Sequence, residues 1–407
     1  MRRVVVTGCG IVSSLGNSVP AAFERLKTPR NCVEKSEDLA GYKGLQSHLW
    51  APSHFERPPE YTRKVIRTMS PVSIMALNAT EQALAQSGLL GDPLVKGGRL
   101  GVAYGSCTGS VAANGDFFSM LVNREVCNVT SSTYIKMMAH TCAVNLSVHF
   151  GTTGRLLPTG TACTSGSLAV GESYELIAWG KQDVMIAGGA EEFSATQVAV
   201  FDTLFATSRR NDSPQMTPRA FDRDRDGLVI GDGAATLILE EREHAIARGA
   251  TILAEVVGYG TNTDGRHVTQ PNAETQAEAI RLSLESAGLS PRDIGYVNAH
   301  GTATELGDIA ECVALGKVFG DCRPPVSTIK GYTGHTLGAC GAIEAAMTIE
   351  MMRHGWFAPN LNLENPDERC GEHDFITGAG RSLDLEFAMS NNFAFGGVNT
   401  SLVFRRA

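Results

Sequence analysis

Residues 161–180 have the sequence TACTSGSLAVGESYELIAWG. Small and hydroxylated residues surround Cys163, and from Ser167 to Gly180 large apolar residues recur among small ones. This pattern predicts a buried helix that ends at Gly180, because glycine commonly follows the last helical residue. A helix that begins near Cys163 would place the thiol at the positive end of its dipole, which favours the thiolate. The small flanking residues leave room for a substrate and for backbone N–H groups that face an oxyanion, as acyl transfer requires.

Short apolar runs that reach glycine predict buried strands on both sides of this helix. The predicted strands are residues 3–6, 102–105, 184–189, 234–240 and 252–257, and further helices are predicted at 75–89 and 275–287. The first strand is expected to end at Thr7-Gly8. Strands that alternate with helices predict an α/β protein with largely buried sheets. Without an obvious linker, the best description from pattern alone is two similar α/β halves, residues 1–245 and 246–407.

Bulk composition excludes several classes of protein. The chain has 407 residues, of which 43% are hydrophobic and 19% charged, and no apolar run approaches the roughly 18 residues of a membrane span. We therefore expect a cytosolic protein. Its ten cysteines include no C-x-x-C pair, which argues against a structural zinc site or a disulfide framework. The net charge of −8 argues against nucleic-acid binding.

Four further motifs follow the cysteine motif in a fixed order. They are His300-Gly301-Thr302-Ala303-Thr304, Lys330, Gly334-His335-Thr336-Leu337-Gly338-Ala339 and Asn392-Phe393-Ala394-Phe395-Gly396-Gly397-Val398-Asn399. With these motifs the whole chain resembles the elongating β-ketoacyl-[acyl-carrier-protein] synthases, and most of all the bacterial type I group. The resemblance implies the thiolase fold, a duplicated five-layer α-β-α-β-α architecture. It places the nucleophile Cys163 in the half 1–245, and it places His300, Lys330 and His335 in the half 246–407.

The resemblance also implies a reaction, a decarboxylative Claisen condensation. An acyl group held on Cys163 reacts with malonyl-[acyl-carrier protein], and the chain grows by two carbons. Cys163 is the implied nucleophile, because a thiolate-like group must accept the acyl chain. His300 and His335 are the implied donors to the enolate oxygen, and Lys330 supports their network. Backbone N–H groups of Cys163 and Phe395 would form the oxyanion hole. No cofactor is expected, since the 4'-phosphopantetheine arm belongs to the carrier.

The same resemblance gives roles to supporting residues. It implies that Thr302 and Thr304 bind the pantetheine arm, that Asp308 fixes the His300 loop and that Glu344 belongs to the lysine network. Phe395 would be the gate of the acyl pocket, which Phe201 and Thr108 would line. The acidic carrier would dock on four basic residues, Arg63, Lys64, Arg67 and Arg124. The first three of these basic residues are expected on one helical face. No catalytic metal is predicted. A structural monovalent cation near Asn298, Glu311, Glu344 and Asn391 is implied by analogy alone.

Several departures from the family pattern leave alternatives open. Ala394 replaces a usual glycine, Val398 replaces a usual threonine, and Cys107-Thr108 replaces a glycine-rich stretch. These changes suggest a specialised polyene or polyketide synthase that works with a partner subunit. A non-catalytic chain-length subunit is disfavoured because the catalytic set is intact. Thiolases use a second cysteine, and initiating synthases have asparagine where this chain has His335. The family usually forms homodimers, and a heterodimer with a related subunit is the alternative. The sequence does not decide the length or the unsaturation of the acyl chain.

Overall fold

The computed structural model describes residues 1–407, which form fifteen strands and thirteen α-helices. The strands are β1 Val4–Ser13, β2 Glu34–Lys35, β3 Leu49–Ala51, β4 Leu100–Gly105, β5 Leu156–Pro158, β6 Val184–Glu191, β7 Ile230–Gly231, β8 Gly233–Glu241, β9 Ala254–Thr263, β10 Ile294–Asn298, β11 Val326–Ser327, β12 Trp356–Phe357, β13 Arg381–Ser382, β14 Phe387–Phe393 and β15 Val398–Arg406. The helices are α1 Val19–Leu26, α2 Glu37–Ala40, α3 Pro71–Gln86, α4 Val111–Asn123, α5 Ser131–Met137, α6 Thr141–Phe150, α7 Ser165–Ala178, α8 Ala195–Thr203, α9 Arg242–Ala247, α10 Ala273–Ala287, α11 Glu305–Phe319, α12 Lys330–Thr333 and α13 Cys340–His354.

Ten strands form one sheet whose two halves have the same pattern of pairing. The order is β5-β4-β6-β8-β1 in the first half and β11-β10-β14-β15-β9 in the second, and β1 joins β9. In both halves the three outer strands pair in parallel, and the remaining neighbours pair antiparallel. The duplication that the sequence shows only weakly is therefore explicit in the strand order.

Helices separate and cover the two halves of the sheet. The central helices α7 and α13 pack against each other and against strands of both halves, whereas α3 covers the outer face of the first half and α10 that of the second. Three apolar cores correspond to this arrangement, one in the centre and one under each outer layer. The predicted five-layer α/β architecture is therefore confirmed.

The predicted helix after Cys163 is α7, and its end is as expected. The helix stops at Ala178, and Gly180 has a left-handed φ of 73°. The first strand differs from its prediction, because β1 continues through Gly8 and Gly10 to Ser13. A Cβ at either glycine would collide with a backbone carbonyl of α3. These glycines therefore mark the close approach of a helix to a strand and not the end of that strand.

The proposed boundary between the halves falls in a regular element. Residues 245 and 246 both lie within α9, and the next strand, β9, begins at Ala254. The division at that residue therefore remains a prediction. Among the helices, none combines the length and the apolar character that crossing a membrane requires.

Candidate active site

A cavity of about 460 Å³ connects the surface with Cys163. His300 and His335 line it beside the cysteine, and Thr302 and Thr304 line it farther along. The two threonine hydroxyls lie 2.9 Å apart. The three motifs that the sequence singled out are thus brought together, although 172 residues separate Cys163 from His335.

Cys163 lies in a 3₁₀ turn, Ala162–Thr164, immediately before α7, and its side chain is 4% exposed. Ala162 has a left-handed φ of 51°, an unusual conformation for a residue with a Cβ. Burial raises the pKa of the Cys163 thiol to about 11, although Lys330 and the backbone N–H groups of Phe395 and Cys163 act to lower it. The resting group is therefore the thiol and not the thiolate that the helix start favours, because desolvation has the largest effect on this pKa. The same two N–H groups are the ones predicted for the oxyanion hole.

This raised pKa has a measurable consequence for alkylation of Cys163. Because only the thiolate reacts, we expect the rate constant with iodoacetamide to rise about tenfold per pH unit from pH 7 to near pH 10. Peptide mapping would follow Cys163 itself, and a small free thiol, with a pKa of about 8.5, should level off earlier. A rate at Cys163 that levels off below pH 8 would contradict the resting thiol.

The position of the hydrogen on His300 is fixed by its neighbours. Its Nδ1 lies 3.2 Å from Lys330 Nζ and 3.3 Å from Asn392 Nδ2, and both of these nitrogens can only donate. Nδ1 must therefore accept, and the hydrogen of the neutral ring is on Nε2. Burial, Lys330 and His335 together hold the pKa of His300 well below its usual value, so the ring is neutral. His300 thus offers the cavity an N–H donor.

Lys330 and Glu344 form a buried ion pair behind His300. Each side chain is 1% exposed, and Lys330 Nζ donates to Glu344 Oε1. Burial alone would lower the pKa of Lys330, but Glu344 raises it above its usual value and keeps the ammonium charged. Asn392 Nδ2 donates to Glu344 Oε2 over 2.6 Å. No role for Asn392 was predicted, because its motif carries no signal that separates this asparagine from a structural one.

Breaking this ion pair should destabilise the fold. We expect Lys330→Met to lower the free energy of unfolding by about 3–5 kcal/mol, because Glu344 is left buried without its counter-charge. The double variant Lys330→Met/Glu344→Leu should recover most of this loss, as measured by denaturant unfolding. As a control, Lys27→Met removes the exposed pair with Glu24 and should cost no more than about 1 kcal/mol. An unfolding free energy of Lys330→Met equal to that of the control would refute the prediction.

His335 faces the nucleophile. Its Nε2 lies 2.9 Å from Cys163 Sγ, and its buried Nδ1 has no hydrogen-bond partner. Burial and Lys330 hold the pKa of His335 well below its usual value. With a neutral ring and a resting thiol, the S–H of Cys163 donates to Nε2. Nε2 is therefore the acceptor, and the hydrogen of resting His335 is on Nδ1, where no partner holds it.

The donors around Cys163 favour an anion over a metal ion. Ligand atoms of Cys163, His300 and His335 lie close together, as do those of His300, Cys340 and Glu344. Both sets depend on His300, whose Nδ1 faces an ammonium and whose Nε2 carries a hydrogen. A metal would have to displace one of these and approach the Lys330 charge. The geometry suits a developing oxyanion better.

The residues implied for a monovalent cation are partly engaged elsewhere. Glu311 accepts from the backbone N–H groups of His300 and Gly301 at 2.7 and 2.8 Å, and Glu344 is occupied by Lys330. Asn298 Oδ1 and Asn391 Oδ1 are buried without hydrogen-bond partners. These two amide oxygens are of the type that coordinates hard cations, so this part of the donor set fits.

A second buried carboxylate organises the loop that carries His300. Asp308 accepts from the backbone N–H of Ala303 at 3.1 Å and from that of Phe221 at 2.7 Å, with Arg225 3.6 Å away. Burial raises the pKa of Asp308 to about 6. Asp308 therefore contacts the loop and does not line the cavity, and its role in positioning the loop remains a prediction.

The predicted pocket residues have different positions. The ring of Phe201 lies 4.9 Å from that of Phe395, and both line the cavity. Thr108 does not line it, since its hydroxyl donates to Glu191 Oε1 over 3.1 Å. The Cys107 backbone N–H donates to the same carboxylate at 2.8 Å. The role of Thr108 in limiting chain length remains a prediction.

The predicted docking residues are exposed, but the helix expected for three of them is wrong. Arg63, Lys64 and Arg67 lie in turns. Only one backbone hydrogen bond of α-helical spacing forms in this segment, from Ile66 N–H to Thr62 O at 3.1 Å, so the turns do not continue as a helix. Arg124 follows α4 with a left-handed φ of 54°. None of the four lines the cavity.

A buried cysteine at the start of a central helix, two neutral histidines and a Lys–Glu pair in a duplicated five-layer fold define the thiolase-fold condensing enzymes. The chain belongs to the β-ketoacyl synthase family. Residues 1–245 match the family model for the β-ketoacyl synthase N-terminal domain, and residues 253–364 match that for the C-terminal domain. The predicted family and the predicted class, an acyltransferase, are thereby confirmed.

Individual relatives match the chain over its full length. It is 36% identical over 410 residues to 3-oxoacyl-[acyl-carrier-protein] synthase 1 of Escherichia coli (strain K12), which covers 100% of this chain and 99% of the relative. A crystal structure of a β-ketoacyl synthase from Burkholderia phymatum STM815 is 54% identical with a TM-score of 0.98, over 100% of both chains. The structure of the ishigamide ketosynthase/chain length factor is 28% identical with a TM-score of 0.91, over 100% of this chain and 99% of that one.

Proposed function

We propose that this chain condenses an acyl group held on Cys163 with a malonyl group held on an acyl carrier protein, with release of carbon dioxide. The observation that carries the proposal is the fixed N–H of His300, which lies in the same cavity as a nucleophile and its oxyanion donors. A donor fixed in this position suits an enolate oxygen, which develops when the malonyl group loses carbon dioxide.

In the first step the acyl group moves to the enzyme. The S–H of Cys163 passes its proton to His335 Nε2 as the sulfur attacks the thioester carbon of the acyl-carrier. The backbone N–H groups of Cys163 and Phe395 hold the resulting oxyanion. The carbon–sulfur bond to pantetheine then breaks, and the leaving thiolate takes the proton from His335. The products are acyl-Cys163 and the free carrier thiol.

In the second step a carbon–carbon bond forms. The malonyl-carrier loses carbon dioxide, and its thioester oxygen becomes an enolate oxygen that accepts from His300 Nε2–H. His335 reaches the same oxygen once its hydrogen is on Nε2, because acylated Cys163 no longer donates to it. The enolate carbon attacks acyl-Cys163, and the cysteine leaves as a thiolate that takes a proton from solvent. The 3-oxoacyl product remains on the carrier, two carbons longer.

The particular substrate is testable with a panel of acyl-carriers. We expect mass spectrometry of carrier-bound products to show two-carbon extension in the presence of malonyl-carrier. Saturated primers of increasing length and conjugated polyene primers should be compared at equal concentration, with Cys163→Ala as the control. Failure to extend any primer, with loaded carriers verified, would contradict the proposed reaction.

A specialised pathway is the second candidate, and the gate loop favours it. Ala394 N–H donates to Val398 O at 2.9 Å, and Gly397 N–H donates to Ala394 O at 3.0 Å, so the loop is a tight turn. A methyl group at Ala394 restricts the backbone freedom that glycine would give. Similarity to a structure of a ketosynthase/chain length factor supports a synthase that works with a partner subunit. Exclusive extension of saturated primers in the panel would eliminate this candidate.

The proposed partners are a carrier protein and a second subunit. Large apolar side chains are exposed around α4 and at the edge strand β5; they are Phe118, Leu121, Val122, Val126, Tyr134 and Leu156. An apolar surface beside an unpaired edge strand commonly belongs to a subunit interface. We propose that a second copy of this chain covers it, and a related subunit remains the alternative. The cytosolic location stays a prediction.

A further inference from the structure

One loop carries two hydroxyl groups that line the cavity beside His300. This hydroxyl loop comprises residues 299–304 and joins β10 to α11. Thr302 and Thr304 both line the cavity, and Ala303 between them has a left-handed φ of 64°, which residues with a Cβ rarely adopt. A strained conformation persists only where the surrounding structure holds it. The groups that hold the hydroxyl loop therefore decide where its two hydroxyls lie.

Two carboxylates from α11 hold the first part of the hydroxyl loop. Glu311 accepts from the backbone N–H groups of His300 and Gly301, and Asp308 accepts from that of Ala303. Neither carboxylate contacts the backbone of Thr304, where the loop passes into the helix. That end of the loop is held from a different segment of the chain.

Arg225 holds the end of the hydroxyl loop. Its Nε donates to Thr304 O at 3.3 Å, and its Nη2 donates to Glu305 O at 3.1 Å. Its Nη1 donates to Asp367 at 2.6 Å, and its Nε lies 3.6 Å from Asp308. The side chain is 1% exposed, so the guanidinium is a buried cation between two carboxylates. A planar group with several donors can make these contacts together, whereas a lysine ammonium is a single point charge.

The guanidinium of Arg225 has no direct contact with the catalytic groups. Although Arg225 lines the cavity, its side chain is buried, and its hydrogen bonds go to the loop, to the start of α11 and to carboxylates. An effect of this side chain on the substrate must therefore pass through the hydroxyl loop.

We propose that Arg225 is a positioning residue that orients the hydroxyls of Thr302 and Thr304 toward the pantetheine arm and so sets the affinity for the thioester substrate. The inference rests on the proposed function, because a pantetheine arm that reaches Cys163 brings its amide groups into the cavity that these hydroxyls line. Hydroxyls on a fixed loop bind an amide at a lower cost in entropy than hydroxyls on a mobile loop. Loss of Arg225 should therefore weaken binding of the arm and leave the chemistry at Cys163 intact.

Arg225→Lys tests this role while a positive charge remains beside Asp308 and Asp367. We expect the concentration of octanoyl-pantetheine that half-saturates acylation of Cys163 to rise about tenfold, with the maximal rate within about twofold of the wild type. S-octanoyl-2-mercaptoethanol has the same thioester and no amide group. Its kinetics of acylation should therefore be unchanged. Intact-protein mass spectrometry would measure both reactions.

Arg219→Lys is the matched control, and Asp367→Asn is a second test. Arg219 is also a buried arginine, with a side chain 4% exposed and 3.1 Å from Asp222, but it does not line the cavity. Its variant should keep the half-saturating concentration of the wild type, whatever its melting temperature. Asp367→Asn removes the charge nearest to Arg225 and should raise that concentration about threefold. It decides the question if Arg225→Lys does not fold.

Other outcomes overturn the positioning role of Arg225. An unchanged half-saturating concentration in folded Arg225→Lys would refute it, and so would an equal rise in Arg219→Lys. An equal loss with S-octanoyl-2-mercaptoethanol would show that Arg225 acts on the reacting groups and not on the arm. Failure of the wild type to accept an acyl group from octanoyl-pantetheine would instead refute the proposed function.

Discussion

In the variant Cys163→Ala we expect no acylation of the protein, and condensation should fall by at least about 10⁴-fold. Alanine removes the only sulfur that the two backbone N–H groups and His335 face. Cys163 is a buried member of an apolar cluster, and alanine keeps a small apolar side chain there, so the variant should remain folded. Intact-protein mass spectrometry and circular dichroism would check both statements. Cys127→Ala, which changes an exposed thiol, should behave as the wild type.

Cys163→Gln should separate the two half-reactions. Its side-chain carbonyl resembles that of an acyl-cysteine, so it can occupy the oxyanion donors while offering no nucleophile. We therefore expect carbon dioxide release from malonyl-carrier to continue while condensation is lost. Detectable 3-oxoacyl product from Cys163→Gln would contradict the assignment of Cys163 as the residue that holds the acyl group.

His300→Ala should have the second largest effect, and on the other half-reaction. Loss of the fixed Nε2–H should reduce decarboxylation by about 10²–10³-fold, the usual cost of one oxyanion donor. Acylation of Cys163 should change little, since His335 and not His300 contacts the sulfur. Measuring carbon dioxide release in the Cys163→Gln background removes any contribution from acyl loading.

A histidine outside the cavity provides the control for His300→Ala. His140→Ala changes a histidine before α6 that does not line the cavity, and it should leave decarboxylation unchanged. Normal carbon dioxide release by His300→Ala would remove this residue from the role of enolate donor. A parallel loss of Cys163 acylation would indicate a general disruption of the site.

The sequence was sufficient for the features that depend on local pattern. The small residues around Cys163 and the apolar stretch to Gly180 predict α7 correctly, and the order of motifs identifies the family. The first strand was predicted too short because a glycine in a strand looks like its end, whereas Gly8 and Gly10 make room for α3. The helix predicted at Arg63 to Arg67 was wrong because the spacing of charges does not show whether the backbone hydrogen bonds of a helix form, and here only one of them does.

The electrostatics of the site could not be predicted from motifs. The hydrogen on His300 is placed by Lys330 and Asn392, which come from two distant segments and meet only in the fold. The thiolate was favoured because the helix dipole follows from the predicted start of the helix, whereas the extent to which the sulfur itself is desolvated does not follow from the pattern. Desolvation of Cys163 is the larger effect, and it reverses the expected protonation state.

The central claim, that Cys163 holds an acyl group which malonyl-carrier then consumes, is tested most directly by intact-protein mass spectrometry. After incubation with an acyl-carrier, the chain should gain the mass of one acyl group, and peptide mapping should place it on Cys163. Addition of malonyl-carrier should return the protein to its original mass as the two-carbon-extended product appears on the carrier. An acyl group on another residue, or one released as free acid without extension, would contradict the account.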